Sequence, residues 1–479
     1  MKRYFIPLFF LVITSCSDSI QEDLTNKMAE IQNVSGTDSH FVSYSDVAAL
    51  TKAESTSTRA SSNATAEIKC ITGNKTNDTL LYVCQKQEGG WTVYSSDTRV
   101  PAIVAQSDGG SFDDLMKIEG AKLWIQSIAD DMAAIRQLDD DKLNFTREEI
   151  KDNKAFWESI SSPDEFVKKM LKESATRGGG MLDPNLEFDS LFYDGHWELR
   201  FIDTYTQVYD SIPRLTNTDW HQGNPYNAYC PLKSNNSGRA PAGCAAIAAA
   251  QMLYYLNDKW GVPAKAPSEA YCNGNIYNYH NNWNQYNYTS NIWNNMNLPN
   301  DSSSAPLIAN IGKRLGMEYH NDHSRADFED LPGDVFAPYR ISCIYTDNFN
   351  SKIGQLRSSL LSGIPVILRA WSNVANAGHF FIADRYKRTR TVTAFYYIFV
   401  FDSWPPFTPI PAIDEQVTYS YSSPVINMIG MNWGEGDWYY NSHGYFSLTG
   451  DWYYGNVGSN PCNWNIDRMM IYGFSAINN

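Results

Sequence analysis

An alanine-rich apolar run begins at a cysteine near the middle of the chain and predicts a long helix. The run reads GRAPAGCAAIAAAQMLYYL, in which Gly243 precedes Cys244 and small apolar residues follow. The first turn of a helix carries unpaired backbone N–H groups and about half a positive charge, and both favour the thiolate form of a cysteine and lower its pKa. Cys244 is therefore either a nucleophile or a small residue packed among alanines. Residues elsewhere in the chain must decide between these two interpretations.

The N-terminus predicts export. Lys2 and Arg3 precede an apolar stretch that is too short to span a bilayer and that ends at Cys16. Residues 1–16 are typical of a secretory signal, and their ITSC ending resembles the lipobox of bacterial lipoproteins. That resemblance implies a lipid anchor at Cys16 and an outer-membrane lipoprotein that faces the periplasm or the cell surface, with release after processing as an alternative. An ordinary signal peptide with a coincidental cysteine is the other interpretation.

The charge and the cysteine count exclude two classes of protein. The formal net charge is -15, and the pI is near 5.0. The chain lacks the basic surface that neutralises phosphates, so we expect no nucleic-acid partner. The eight cysteines leave an odd number beyond Cys16, which is not a disulfide framework in a long exported chain. At least one thiol is free, and Cys244 is the candidate.

Composition divides the remainder of the chain into a tether and two folded parts. Residues 17–63 are rich in Ser and Thr and predict a flexible tether. Residues 64–205 predict a small α+β unit with four strands followed by three helices. The strands are AEIKCIT, TLLYVCQ, GGWTVYSS and PAIVAQS, and the helices lie around SFDDLMKIEGAKLWIQSIADDMAAIRQL, TREEIKDNKAFWESI and SSPDEFVKKMLKES.

Residues 206–479 predict a second domain in which helices come first and strands follow. The helices are the Cys244 run, APLIANIGKRLGM and SKIGQLRSSLLSG, and the strands are IPVILRAW, GHFFIADRY, FYYIFVFDSW, VINMIGMNW and HGYFSL. This order favours an α+β fold in which a helical half faces an antiparallel β half.

A cysteine nucleophile needs a base and a group that orients the base. His379 follows Gly378, which permits close backbone approach, and it precedes an apolar strand that would fix the ring. Among the eight histidines it is the best base, with a buried structural histidine as the alternative. Downstream, Asn432 in GMNWGEG could accept the second imidazole N–H, and Trp433 could cover that bond from water, unless the segment is a plain turn.

The nucleophile also needs donors for the oxyanion that forms when it attacks a carbonyl. Gln222 in DWHQGNPYN offers a side-chain amide that could join the backbone N–H of Cys244 in this role. The alternative for Gln222 is a surface turn.

Together these segments resemble the streptopain family of papain-like cysteine peptidases. The segment QGNPYN starts at Gln222, Gly-Cys is followed by Ala-Gln in the same helix, Gly-His opens an apolar strand, and Asn-Trp-Gly starts at Asn432. The resemblance implies a papain-like two-subdomain catalytic domain at 206–479 that cleaves protein or peptide substrates. It makes Cys244, His379, Asn432 and Gln222 the catalytic residues, with Trp433 in support, and implies no cofactor and no metal.

The N-terminal unit extends the resemblance. Its segment GGWTVYSSDTRVPAIVAQSDGGSF resembles the family's inhibitory propeptide, so the resemblance covers residues 64–479. It implies a zymogen whose propeptide, residues 64–205, acts in cis as a partner of the catalytic domain. Cleavage would fall between residues 177 and 214.

Two departures from the family pattern affect the site. The family usually has a second tryptophan where this chain has Glu435, so Glu435, with Gly378, is a candidate for the substrate cleft. The stretch between His379 and Asn432 carries an insertion with Asp402 at the end of a strand. Some papain-like peptidases orient the histidine with aspartate, but Asn432 is preferred because its motif carries the covering tryptophan.

Two other functions compete with this one. A metal hydrolase would use His320 and His323 with Asp322 or Asp327, but their spacing fits neither the helical His-Glu-x-x-His pattern nor a zinc ribbon. A catalytically inactive binding lipoprotein would use the aromatic-rich surface YNYHNNWNQYNYTSNIWNN.

Overall fold

One antiparallel sheet extends from the N-terminal unit to the last strand. The computed structural model describes residues 40–57, 67–73, 77–176, 195–262, 304–401, 416–436, 444–453 and 466–477. The strands are β1 (Glu67–Thr72), β2 (Thr79–Gln85), β3 (Trp91–Ser95), β4 (Ile103–Ser107), β5 (Gly195–Ile212), β6 (Glu318–Tyr319), β7 (Ser324–Arg325), β8 (Ile341–Thr346), β9 (Val366–Ser372), β10 (Ala377–Phe401), β11 (Gln416–Ser422), β12 (Ile426–Asn432), β13 (Tyr445–Ser447) and β14 (Ile466–Ala476). The helices are α1 (Tyr44–Ser57), α2 (Phe112–Leu115), α3 (Glu119–Ile135), α4 (Arg147–Ser161), α5 (Pro163–Thr176), α6 (Cys244–Trp260), α7 (Ala305–Arg314) and α8 (Ile353–Leu361).

The sheet joins the two predicted folded parts. Its order is β1-β2-β3-β4-β13-β12-β10-β9-β14-β8, and β5 and β11 also pair with β10. The junction between the parts is the pairing of β4 with β13, where Gln106 and Ala105 face Tyr445 and Phe446. The expected α+β class, with helices packed on antiparallel strands, is confirmed.

The N-terminal unit has the four strands that the sequence predicts, and its first predicted helix is split. The predicted helix around 111–138 appears as α2 and α3, because Ile118 is extended at the start of α3 and Ser111 caps α2 through Asp114 N–H.

A helix that the sequence analysis did not expect, α1, lies inside the segment interpreted as a tether. Val42, Val47 and Leu50, in and next to α1, are fully buried. Within the segment interpreted as a flexible tether, residues 44–57 therefore form a helix that is docked by buried apolar side chains.

Strand β10 is longer than the sequence predicts. The sequence predicts GHFFIADRY and FYYIFVFDSW as two strands, but residues 377–401 form one strand. The KRTRTVTA between the two segments is rich in β-branched residues, which favour strand structure. Along its second half, β10 pairs with β5 from Tyr386 to Phe401. The expected domain boundary after residue 205 lies within β5. Much of the window expected to contain the propeptide cleavage is thus hydrogen-bonded strand.

The two faces of β10 pack against different helices. Phe380 and Ile382 belong to the apolar cluster around α6, whereas Phe381 and Ala383 belong to the cluster around α3. Successive side chains of a strand point to opposite faces, so this alternation places the sheet between the two helices. Helix α6 is the helix of the alanine-rich run, and residues 245–253 are buried against the sheet and α7.

Helix α3 is fixed to the C-terminal part by an aromatic and an ionic contact. Trp124 packs edge-on against Phe349 and Phe381 at 5.6 and 5.7 Å between ring centroids. The carboxylate of Asp131 accepts two hydrogen bonds from Arg468 Nη2, at 2.9 and 2.8 Å, in a buried pair. These contacts bind the N-terminal unit to the sheet that carries the candidate site.

Candidate active site

Cys244 is the first residue of α6, as the sequence predicts. Gly243 precedes it with φ of 88°, and a Cβ there would lie 2.3 Å from Met317 Sδ. Both the backbone conformation and the space therefore require glycine. The tight turn delivers the cysteine side chain at the positive end of the helix, where it is partly buried.

The thiol of Cys244 is not activated in this structure. Burial raises its pKa to about 11, and the nearby Glu435 carboxylate adds to the rise. The backbone N–H of Phe380 donates to the sulfur and acts in the opposite direction, as do the N–H groups of Ala245 and of Cys244 itself. The lowered pKa expected from the helix N-terminus is wrong for this state, because desolvation outweighs the helix donors.

His379 opens β10 beside the nucleophile, but its ring is bonded elsewhere. Nε2 lies 2.9 Å from the carbonyl oxygen of Trp433, and because a carbonyl only accepts, Nε2 carries the proton. At the preceding residue, Gly378, a Cβ would lie 2.6 Å from Trp371 Cε3 and 2.8 Å from Ala370 O, so β9 approaches the backbone there closely. The expectation that Gly378 permits close backbone approach is confirmed.

The His379 ring is enclosed by the N-terminal unit and by Glu435. A Cβ at Gly120, in the first turn of α3, would lie 2.7 Å from His379 Cδ2 and 3.1 Å from Trp433 Cε3. On the other side, Glu435 Oε1 lies 3.6 Å from Nε2. The side chain of His379 is 5% exposed, so it has little room to turn while α3 is in place.

Asn432 lies at the end of β12 and takes part in a buried polar network. Its Nδ2 donates to Thr216 Oγ1 at 3.2 Å, Thr218 O at 2.9 Å and Gln251 Oε1 at 2.9 Å. Its Oδ1 accepts from Gly434 N–H at 3.1 Å. The structure therefore brings Asn432 to the site but directs its amide away from the His379 ring, whose Nε2 bonds to the next residue's carbonyl.

Gln222 lies close to the start of α6 through a backbone contact. The carbonyl of Gln222 accepts the N–H of Ala242, two residues before Cys244, at 2.9 Å. Gln222 also borders a cavity of about 740 Å³ lined by Gly223, Asn224, Pro241 and Asp322 among others. The loop that carries the expected oxyanion donor thus borders both the nucleophile and open space.

Trp433 and Glu435 complete the wall of the site. The Trp433 ring is fully buried, and it packs against Phe381 with 4.6 Å between ring centroids. Glu435 pairs with His221 in an antiparallel bridge, and burial lowers the pKa of His221. Sequence reasoning named Trp433 and Glu435 and missed His221, although His221 directly precedes Gln222.

The network around Asn432 is the main feature that sequence reasoning did not assign. Thr218 donates through Oγ1 to Gln251 Oε1 at 2.8 Å, and Thr216 donates to the fully buried Asp384, whose pKa is raised by burial. Gln251 carried a signal in the sequence, since it is a polar residue within the apolar run that predicts α6. The two threonines carried none, because they lie in a segment without regular structure.

The competing sites are either exposed or outside the described residues. His320 and His323 stack at 4.4 Å between ring centroids, and His323 Nδ1 lies 2.8 Å from Asp322 Oδ1. Within the described ranges, no group of three or more His, Cys, Asp or Glu residues could hold a metal ion. Cys16, Asp402 and the aromatic-rich stretch lie outside the described residues.

Comparisons with known proteins find a match to a family model and similarity to solved structures. Residues 220–400 match the sequence model of the Peptidase C10 family, and no curated protein matches the chain. A mutant prointerpain A fragment from Prevotella intermedia is 17% identical with a TM-score of 0.40, over 85% of this chain and 99% of that chain. The active wild-type interpain A cysteine protease of the same organism is 20% identical with a TM-score of 0.33, over 56% of this chain and 100% of that chain.

We predict that iodoacetamide modifies Cys244 of the intact precursor with a rate that rises about tenfold per pH unit from pH 7 to 10. A thiol reacts as the thiolate, and a pKa of about 11 leaves roughly one molecule in ten thousand ionised at pH 7. The measurement is mass spectrometry of the Cys244 peptide, with an unstructured cysteine peptide as the control, whose rate reaches half its maximum near pH 8.5. A plateau for Cys244 at or below pH 9 would contradict the raised pKa.

Proposed function

We propose that the protein is a cysteine endopeptidase made as a latent precursor, because residues 220–400 match the sequence model of the Peptidase C10 family, the streptopain family of cysteine peptidases. The observation that carries the proposal is the junction of α6 with β10. There the Cys244 sulfur accepts the N–H of Phe380, the residue after His379. A nucleophile at a helix start beside a histidine at a strand start is the pairing that thiol hydrolysis needs.

The chemistry follows from the roles of four residues. In the active enzyme His379 takes the proton of Cys244, and the thiolate attacks the substrate carbonyl to form a tetrahedral intermediate. The Gln222 side-chain amide and the Cys244 N–H donate to the oxyanion. Imidazolium then protonates the leaving amine as the C–N bond breaks. Water, deprotonated by His379, hydrolyses the thioester and releases the acid and the thiol.

The proposed role of Asn432 requires a change from the arrangement seen here. To orient the histidine, Asn432 Oδ1 must accept the imidazole N–H that now goes to Trp433 O. Asn432 is held by three acceptors on its Nδ2, so its amide is already fixed and the ring must move to it. Movement of the His379 ring from Trp433 O to Asn432 Oδ1 would exchange the acceptor.

Latency is proposed to come from the N-terminal unit acting as a propeptide in cis. Its helix α3 places Gly120 against the His379 ring and closes the space on that side. Cys244 and His379 are inactive in this arrangement for three reasons: the thiol is neutral, His379 is hydrogen-bonded to Trp433 O, and Gly120 contacts the His379 ring. Removing α3 would free the ring, and cleavage between residues 177 and 214 would be the covalent step that permits it. The part of this window outside β5 is residues 177–194, together with residues 213–214.

We also propose that the protein is exported and tethered by a lipid on Cys16. The support is the sequence pattern at residues 1–16. In the described residues, no helix has the length and apolar character needed to cross a membrane.

We predict that Cys244→Ala abolishes casein cleavage by the purified 17–479 form and stops its processing. The acyl-enzyme cannot form without the thiol, and the expected loss is at least about a thousandfold. Gel analysis and N-terminal sequencing of the products measure activity and the boundary of the N-terminal unit together. Cys343→Ala is the matched control, because Cys343 is also partly buried with a raised pKa. Undiminished cleavage by Cys244→Ala would refute the proposed function.

We predict that Gly120→Ala weakens latency. The added Cβ would lie 2.7 Å from the His379 ring, and overpacking of about 1–3 kcal/mol should raise the initial rate of peptide hydrolysis by the uncleaved precursor roughly tenfold. Gly354→Ala is the matched control, since Gly354 is also the second residue of a helix and a Cβ there meets nothing within 4 Å. Equal rates for the two variants would show that the Gly120 contact does not maintain latency.

We predict that Cys16→Ala removes the lipid. Bacteria that express the full chain and are fed labelled palmitate should label the wild-type protein and not the variant, which should move to the soluble fraction. Labelling that survives the substitution would place the anchor elsewhere, and wild-type protein without label would show that residues 1–16 are an ordinary signal.

A further inference from the structure

Two arginines lie over the ring of Trp371, on the side of the sheet that carries the nucleophile. The guanidinium carbon of Arg369 lies 4.2 Å from the centroid of the Trp371 ring, and that of Arg325 lies 5.4 Å from it. Arg369 also lies 5.4 Å from the centroid of Phe380. Arg325, Trp371 and Arg369 are called the arginine–tryptophan stack below.

The register of the sheet places the stack next to Cys244. Arg369 is directly opposite Phe380 in the pairing of β9 with β10, and the Phe380 N–H donates to the Cys244 sulfur. In β9, Ile367 packs with the α6 cluster, whereas its neighbours Val366 and Leu368 pack with the α3 cluster. Since side chains alternate, Arg369 and Trp371 stand on the α6 face.

Arg325 reaches the same place from β7. Its neighbour Ser324 donates through Oγ to the carbonyl of Pro241 at 2.6 Å. The Cβ of Ser324 lies 3.4 Å from where a Cβ of Gly243 would be. Residues 324–325 therefore run beside the turn that leads into Cys244, and the Cys244 thiol acts electrostatically on Arg369.

The guanidinium of Arg369 is incompletely satisfied. Its Nε is buried and has no hydrogen-bond partner among the residues that the structure describes, and its Nη1 donates to the weak acceptor Met469 Sδ at 3.5 Å. Within the described residues, no carboxylate oxygen lies within 4.0 Å of the guanidinium nitrogens of Arg369 or Arg325. The Asp327 carboxylate acts on Arg369 from further away, and the neighbouring Asp467 accepts from Asn373.

A partly buried guanidinium whose Nε has no hydrogen-bond partner loses hydration there that nothing replaces, so a carboxylate that arrives with a ligand would be bound favourably. The stacked guanidinium is planar and fixed, and it presents its donors as a fork that matches a carboxylate. The rings of Trp371 and Phe380 offer apolar surface to the methylene groups that carry such a carboxylate.

We propose that the arginine–tryptophan stack binds an acidic side chain of the substrate, so that the peptidase prefers peptides with Asp or Glu within two residues of the scissile bond. This inference rests on the proposed function, because it assigns a substrate class to the same site. The stack determines specificity and takes no part in bond breaking.

The test compares matched pairs of fluorogenic peptides that differ only in Glu versus Gln, placed in turn at each of the two positions on either side of the cut. With the processed enzyme, kcat/KM at one position should be about tenfold or more higher for Glu, as expected for a charge-assisted hydrogen bond of 1.5–3 kcal/mol. Arg369→Gln should reduce that ratio to about one, and Arg369→Glu should bring it below one, because two carboxylates repel each other. Arg325→Gln, at an exposed residue, should lower the ratio without a risk to folding.

Arg357→Gln is the matched control, since Arg357 is on α8 and lies 3.5 Å from Asp451; it should keep the wild-type ratio. Equal cleavage of the Glu and Gln peptides by the wild type, or an unchanged ratio in both Arg369→Gln and Arg325→Gln, would overturn the proposal and leave the stack a structural contact. Failure of the proposed function has a different result, in which no peptide of either kind is cleaved in a Cys244-dependent manner.

Discussion

The packing of β10 between α3 and α6 is the constraint on which the site depends. Adjacent residues of this strand face different helices, so Phe380 lies on the side of the nucleophile while Phe381 is covered by Trp124 of α3. Each buried aromatic of this kind contributes about 1.5–3 kcal/mol. The same contact that completes the core of the N-terminal unit therefore holds Gly120 against His379. Cutting the chain leaves this apolar contact and the Asp131–Arg468 pair intact, so cleavage and departure of the unit are separate events.

Two opposing effects, stabilisation of the thiolate by the helix N-terminus and its desolvation, determine the pKa of Cys244, and their magnitudes show which is larger. A helix N-terminus contributes about 0.3–1 kcal/mol to a negative charge in its first turn. The rise of the thiol pKa from 9.0 to about 11 corresponds to about 3 kcal/mol against the thiolate. Desolvation therefore overrides the helix as long as the site is closed. The helix start and its N–H donors are therefore not sufficient to ionise the Cys244 thiol, because a positively charged imidazolium must also lie next to the sulfur.

The sequence predicts elements with a regular pattern and fails where distant parts meet. The four strands of the N-terminal unit, the helix at Cys244 and the strand at His379 follow from alternation, glycine positions and apolar runs. The pairing of β5 with β10 could not be predicted, because its residues are polar and aromatic in mixture and their partner lies far along the chain. Gly120 carried no signal either: only its contact with a ring more than 250 residues later gives it a role. Arg369 is the same kind of case, since one charged residue in an apolar strand does not reveal what it faces.

Glu435 affects the two members of the catalytic pair in opposite directions. A carboxylate opposes the thiolate of Cys244, and this raises the thiol pKa. The same carboxylate lies 3.6 Å from His379 Nε2, so it would attract the imidazolium that proton transfer forms. Proton transfer from thiol to imidazole creates both charges at once, so the net effect depends on which charge is closer to Glu435. Before that transfer, the carboxylate opposes formation of the thiolate. Once the proton is transferred, attraction to the imidazolium offsets that cost, and a residue that supports latency becomes compatible with the ion pair that the reaction needs.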